Sequence, residues 1–471
     1  MFFVSLANPL APAWLEVPGD ANALAPSVWS RSAERTTSGV LALGGVDVVS
    51  LVADYGTPLF VVDEADARGR AEEIRSAFDA EFARVGGAAR VYYAGKAFLT
   101  TEVARWMIAA GLNIDVCSGG ELAVALAAGV DPVRLGLHGN NKSVAEIDRA
   151  VEVGIGAIVL DSLIEIERVA DAADKHGRVQ PVRLRINSGV HASTHEYLAT
   201  AREDQKFGIP LADAPDAVAA IRTHPSLQFL GLHSHIGSQI FESDGFAEAA
   251  RRLFAVHASL LDGGPVPELN LGGGFGIAYT NVDVALSIHE IARRFADIVS
   301  RAAGELGIPI PTVAIEPGRA IIGPSTTTVY EVGTVKDVQV TTHAEATAIR
   351  KYVSIDGGMS DNIRAALYGA DYSVRIASRT SDAAPALVRI AGKHCESGDI
   401  VVHADYLPGD VTPGDLVAVP ATGAYHWAMA SNYNYLGRPP VVAVKDGRAH
   451  LLVRRETETD LLSRDAGLET K

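Results

Sequence analysis

The strongest constraint in this sequence is a rhythm. From Val91 to Arg319, short β-rich apolar runs alternate with longer segments whose apolar residues recur at spacings of three and four, the pattern of strands joined by crossover helices around a parallel sheet. The strand candidates are "VYYAGKA", "NIDVCS", "RLGLHG", "AIVLD", "VRLRIN", "FLGLHSHIGS", "ELNLGGGFG" and "VAIEPGR", eight in all. Between them lie amphipathic stretches such as "TTEVARWMIAAG", "GELAVALAAG" and "DGFAEAARRLFAVHASLL". Eight strands over roughly 230 residues suit a (β/α)8 TIM-like barrel, for which about 250 is typical. An open doubly wound sheet is the alternative.

After Ala320 the texture changes. "TTTVYEVGTV", "KYVSIDGG", "ALVRIAGKHC", "DLVAVPATGAY", "PPVVAVKDG" and "RAHLLVRRE" follow one another without helix-length spacers, which predicts an all-β C-terminal domain, a sandwich or barrel. "GTPLFVVDE", ahead of the barrel, is expected to lend that domain a strand. The expected division is a loose N-terminal extension over 1–35, rich in Ala, Pro and Ser, then joining strands over 36–60, the barrel over 61–320 and the β domain over 321–471.

Composition removes several functions. A formal net charge of -16 argues against a nucleic-acid or anionic-membrane partner, because either needs a basic face. Two cysteines, Cys117 and Cys395, are too few for a disulfide framework, so a reducing cytoplasm is expected. No apolar run is long enough to span a bilayer, and "MFFVSLANPLAPAW" lacks the basic start of a signal peptide.

In a barrel of this kind the active site lies at the C-terminal ends of the strands, and here those ends are polar. Strand one ends at Lys96, strand two at Cys117 and Ser118, strand three at His138 and Asn140, and strand five carries Arg185. Strands six, seven and eight end in "HSHIGS", "GGGFG" and "EPGR". A lysine at a strand end by itself is most simply one that snorkels to solvent, and a triple glycine is most simply a tight turn. In context, however, Gly272, Gly273 and Gly274 with Arg319 fall in the loops after strands seven and eight, where barrels commonly bind phosphate. Glu316 ends an apolar strand and needs a cation or a donor. Arg319 is the simple partner, and a protonated pyridine nitrogen the sharper one. An amine, a phosphate cradle and a buried carboxylate together describe a pyridoxal 5'-phosphate site, with Lys96 holding the cofactor as an imine. His233 and His235, two apart on a strand, offer a competing metal site. Metal-dependent barrel hydrolases carry such a pair on the first strand with further ligands later, so no metal is expected, and an imidazole stacked on a flat ring fits better.

The β domain holds the remaining polar concentrations: "SDNIRAALYG" (Ser360 to Gly369), "KHCESGD" (Lys393 to Asp399) and "ATGAYHWAMASNYN" (Ala421 to Asn434). Neither domain carries a full active site, so the site is expected between the two or across a dimer.

"YYAGKA", "HSHIGSQI", "LGGGFG", "EPGRA", "SDNIRAALYGA", "CESGD" and "GAYHWAMASNYN", in that order, resemble the diaminopimelate decarboxylases of lysine biosynthesis, fold-type III pyridoxal phosphate enzymes. The resemblance runs from Val46 to Glu456. It implies that Lys96 is the Schiff-base lysine, that His235 stacks on the ring, and that Glu316 pairs with the pyridine nitrogen. Ser238, Gly274 and the backbone of Glu316, Pro317, Gly318 and Arg319 would hold the phosphate. Arg319, Arg364 and Tyr368, with Glu396, would grip the distal end of meso-diaminopimelate. Tyr425 would lie between cofactor and substrate, and Cys395 resembles the proton donor. Family enzymes are homodimers in which "CESGD" completes the partner's site. Gly95 departs from the family pattern, where a larger residue is common, and the N-terminal extension has no motif. The other readings are a relative acting on ornithine, arginine or another amino-acid derivative, a metal-dependent hydrolase, and a non-catalytic homologue marked by a lost lysine or cysteine; both residues are present.

Overall fold

The computed structural model describes residues 8–189, 206–235, 244–341 and 347–469. The chain divides into two compact units: Arg68–Gly276 with Ala285–Ile321, and Met1–Ala67 with Ile277–Val284 and Ile322–Lys471.

The first unit is a closed parallel barrel. Its strands are β1 (Ala89–Ala94), β2 (Asn113–Val116), β3 (Leu135–Leu137), β4 (Ala157–Leu160), β5 (Gln180–Asn187), β6 (Leu227–His233), β7 (Glu268–Asn270) and β8 (Thr312–Ile315). Each pairs in parallel with the next, and β8 returns to β1 in the register Val313 to Ala89. That last pairing leaves no edge between first and last strand and excludes the open sheet. The strands are largely buried and mostly apolar because helices cover the outside. Ser118 and Ser143 cap the helices Gly119–Ala127 and Val144–Val153 with their side chains, and Gly154 ends the latter in the left-handed conformation. Inside the barrel, fully buried Arg183 is held by Glu268, with Nη2 2.7 Å from Oε2, and donates to the Tyr92 hydroxyl at 2.8 Å. Charges from β5 and β7 thus pair inside the barrel, and Glu268 also takes the half-exposed Arg90 of β1.

The second unit is sheet-rich. Its strands are β9 (Thr326–Thr341), β10 (Thr347–Ile355), β11 (Pro385–Ala391), β12 (Ile400–Pro408), β13 (Leu416–Val419), β14 (Val441–Lys445) and β15 (Arg448–Val453). The sheet order is β12, β11, β10, β9, the strand Leu59–Asp63, β14, β15, with β13 alongside β9. "LFVVD" therefore sits in the middle of this sheet, antiparallel to β9 and parallel to β14.

The N-terminal segment differs from the loose extension expected. Val28 and Trp29 are fully buried among Leu41, Leu43, Leu59, Val61 and Val442, and Leu15 packs on Leu387, Ala404 and Tyr406. Its anchors are single large apolar residues scattered among Ala, Pro and Ser, so they carry no periodic signal, yet each fills a core position worth about 1.5–3 kcal/mol. Among the described residues no helix is long and apolar enough to cross a membrane.

Candidate active site

The C-terminal ends of the barrel strands enclose a cavity of about 290 Å³ lined by Lys96, Asp115, His138, Arg185, His233, His235 and Glu316, together with Cys117, Asn140 and Phe207. Lys96 sits in a one-turn helix, Gly95–Ala97, that follows β1 directly. Two bonds brace this turn: the buried Tyr93 hydroxyl donates to Phe98 O at 2.6 Å, and Ala94 N donates to Pro317 O at 3.0 Å. A Cβ on Gly95 would stand 2.8 Å from Asp115 O, so the glycine that departs from the family pattern is what lets this turn lie against β2.

Glu316, at the end of β8, does not pair with Arg319. Its Oε1 accepts from Asn270 Nδ2 at 2.7 Å, lies 3.0 Å from His233 Nε2 and 3.6 Å from His138 Nε2. Three residues on, Arg319 is buried at the start of the short helix Arg319–Ile322. Burial by itself would raise the Glu316 pKa, but the imidazoles of His233 and His138 outweigh it and hold the carboxyl well below the usual range. Burial also pushes His233 down, to about 4, against the pull of Glu316. A carboxylate beside a neutral imidazole is the result. Asp115, 3.0 Å from His138 on the other side, goes the opposite way, because its burial outweighs the contact with His138. His138, His233 and Glu316 place their ligating atoms within 4.8 Å of one another, so the grouping with metal-site geometry is this one, not His233 with His235.

The glycine run is fixed by close approach. Gly272 has φ +71° and a Cβ there would meet His235 Nδ1 and Ser234 O at 2.7 Å, while one on Gly273 would come within 2.1 Å of Glu316 O. Gly272 N donates to Asn270 Oδ1 at 2.8 Å and Gly273 N to His235 Nδ1 at 3.1 Å. His235 is partly buried, and burial followed by the nearby Lys96 charge holds its pKa well below the usual value. With Nδ1 accepting, the neutral ring carries its proton on Nε2. The amides of Gly272 and Gly273 thus hold the site's own side chains. Those of Gly274 and Gly318 form no hydrogen bond within the described residues, and no Cβ shields them. A phosphate needs such donors. With an amine, an anionic carboxylate and a flat neutral imidazole around the same cavity, the residues present fit pyridoxal phosphate.

The other expected residues belong to the sheet-rich unit. Arg364 opens and Tyr368 ends a short helix, Arg364–Tyr368. Cys395 and Glu396 are exposed, and Cys395 N donates to Asn434 Oδ1 at 2.9 Å, tying "CESGD" to "SNYN". Beneath them the Asp399 carboxylate accepts from His394 N at 2.8 Å and Met359 N at 2.6 Å, and lies 2.7 Å from His394 Nδ1. Tyr425 has φ +66°, a conformation a bulky side chain rarely adopts. Ser238 lies outside the described residues. Asn270 and Asp115 were not singled out from sequence. Each is a polar residue in a short buried strand that also carries a second polar residue, Asn113 with Asp115 and Glu268 with Asn270, and that polarity was the available signal.

The comparisons with known proteins agree with this chemistry. The family described as pyridoxal-dependent decarboxylase, pyridoxal binding domain, matches residues 69–323. Diaminopimelate decarboxylase of Mycobacterium tuberculosis is 52% identical over 93% of this chain and 98% of its own length, and that of Bacillus subtilis 43% identical over 92% and 96%. The crystal structure of the M. jannaschii diaminopimelate decarboxylase in complex with L-lysine superposes with a TM-score of 0.84 at 29% identity, covering 93% of this chain and 98% of the other. With its closed barrel, sheet-rich unit and lysine-bearing mouth, the chain belongs to the diaminopimelate decarboxylases.

Proposed function

We propose that this chain removes one carboxyl group from meso-2,6-diaminopimelate, releasing carbon dioxide and L-lysine, with pyridoxal phosphate as cofactor. The observation that carries this reading is the single cavity in which Lys96, His235 and Glu316 meet. When bound, the cofactor supplies an electron-accepting ring that takes up the charge left as carbon dioxide departs.

The chain's own residues divide the remaining work. Lys96 Nζ would hold the cofactor covalently, and His235, its orientation set by the Gly273 amide, would support the ring. Glu316, kept anionic, would accept the pyridine N–H and so hold the positive charge that makes the ring an electron sink. Gly274, Gly318 and the Pro317 to Arg319 backbone, with Ser238, cradle the phosphate. Arg364 takes the distal carboxylate, helped by Arg319 and Tyr368, and Glu396 takes the distal ammonium. Tyr425 separates cofactor from substrate. Cys395 Sγ delivers a proton to the α-carbon, and we assign it to the partner subunit's site in a homodimer, which the split of the site residues between two units supports.

The test compares carbon dioxide release from meso-diaminopimelate, ornithine, arginine and lysine. A guanidinium left unpaired by a substrate without the distal carboxylate costs roughly 2–5 kcal/mol, so selectivity for meso-diaminopimelate of about 30-fold or more is expected. Comparable rates with ornithine would overturn the substrate assignment.

A further inference from the structure

Arg364 is only 3% exposed, yet among the described residues no carboxylate forms an ion pair with it. Buried arginines are ordinarily paired with an anion. Its neighbours here are aromatic. Nη1 donates to the Tyr372 hydroxyl at 2.5 Å, and the guanidinium carbon stands 4.8 Å from the centre of the Tyr279 ring. Tyr372 and Tyr279 are themselves buried and meet edge to face at 5.1 Å. Tyr372 packs in the same way on His426 at 5.3 Å, and His426 is pinned by a 2.9 Å bond from Nδ1 to Ala424 O.

We propose that Tyr372 and Tyr279 are positioning residues that set the substrate selectivity of Arg364. Tyr372 accepts from Nη1, the guanidinium carbon lies over the Tyr279 ring with the Tyr279 side chain a second hydrogen-bond partner, and the N–H groups left over would meet a substrate carboxylate. The choice of tyrosine has a physical reason. An aspartate or glutamate would hold the guanidinium as well, but it would neutralise the charge and repel the incoming carboxylate. A phenol hydroxyl accepts a hydrogen bond, and a ring face attracts a cation, without bringing a full negative charge. The guanidinium is thereby oriented before the substrate arrives, which removes the entropy of ordering a long side chain from the binding step. This rests on the reading of Arg364 as the group that takes the distal carboxylate.

The experiment measures steady-state decarboxylation by the holoenzyme in four forms: wild type, Tyr372→Phe, Arg364→Lys and the double variant. Tyr372→Phe removes one hydrogen bond to a charged group and is expected to raise KM for meso-diaminopimelate about tenfold, with kcat within twofold and the visible cofactor spectrum unchanged. In the Arg364→Lys background the same substitution should have no further effect, because the group it positions is gone. An unchanged KM for Tyr372→Phe, or an equal rise in both backgrounds, overturns the proposal and leaves Tyr372 a packing residue. An unchanged KM for Arg364→Lys alone overturns the Arg364 reading itself, and this one with it. If Tyr372→Phe does not yield folded enzyme, Tyr279→Leu is read by the same criteria.

Discussion

The barrel unit and the sheet-rich unit each bury a charge to which the proposed chemistry gives a role, and they surround it in opposite ways. Glu316 in the barrel is held by Asn270, His233 and His138 from three other strands or strand ends. Among the described residues, Arg364 in the sheet-rich unit has the uncharged Tyr372 and Tyr279 beside it and no paired carboxylate. On the proposed assignment the barrel keeps its anion settled whatever is bound, whereas the other unit keeps a cation whose full counter-charge would arrive with the substrate. The difference follows the tasks. A cofactor stays, so its partner can be satisfied by the protein; a substrate comes and goes, so its partner must remain available.

The largest effect that tests this contrast comes from removing the amine. Lys96→Ala is expected to abolish turnover and the visible absorbance of the bound cofactor while the fold persists; a variant that keeps a borohydride-reducible adduct would rule out this lysine. Mixed with inactive Cys395→Ala and re-associated, it should recover about a quarter of wild-type activity if sites are shared across a two-fold dimer, since half the dimers are mixed and each has one intact site. No recovery despite proven exchange would place Cys395 in its own chain's site.

Next in size is Glu316→Gln. The amide keeps an acceptor for Asn270 but loses the charge, and turnover is expected to fall roughly 10²- to 10³-fold, the usual cost of removing one preorganised electrostatic contact. Turnover within a few-fold of wild type would mean that the anion is not needed and that the comparison of two buried charges is empty.

The smallest effect is in stability against pH, where His233 in the barrel unit and Asp361 in the sheet-rich unit run in opposite directions. Burial lowers the His233 pKa to about 4, against the opposing pull of Glu316, so its contribution is present above the unfolded value of 6.5 and is lost as pH falls through about 4. Burial raises the Asp361 pKa to about 7 although the Tyr330 hydroxyl opposes it, so its contribution is full below the unfolded value of 3.8 and is lost as pH rises through about 7. In denaturant titrations across pH, His233→Gln should flatten the acid side of the stability profile and Asp361→Asn the near-neutral side. The reverse pairing would show that other groups control both limbs.

The barrel was legible because each strand reports itself locally, through an apolar run bounded by a polar end. The meeting of Lys96, His235 and Glu316 in one cavity was legible for the same reason, since the fold sends strand ends to one mouth. The partner of Glu316 was not. Arg319, three residues away, is near in sequence, but His138, His233 and Asn270 reach the carboxylate from other strands, and no local pattern records that distance. Arg364, Tyr368, Cys395, Glu396 and Tyr425 lie on loops and one short helix, where hydrophobic periodicity is silent; Cys395 beside Glu396 stood out as a thiol next to a carboxylate, and the family resemblance supplied the other three. Tyr279 is more remote still, since Ile277–Val284 interrupts the barrel sequence yet belongs to the sheet-rich unit.

By itself, then, the sequence determined the alternation of strand and helix, the polarity of the strand ends and the chemical types available there, because these depend on neighbours three or four residues away. The tertiary structure decided the rest. Closing β8 on β1 brought Glu316 to its imidazoles, the bare faces of Gly272 and Gly273 let His235 and Glu316 approach, and buried packing gave Arg364 tyrosines in place of a carboxylate. Each is a contact between residues far apart in the chain, set by which backbones can approach and which charges can be left without water.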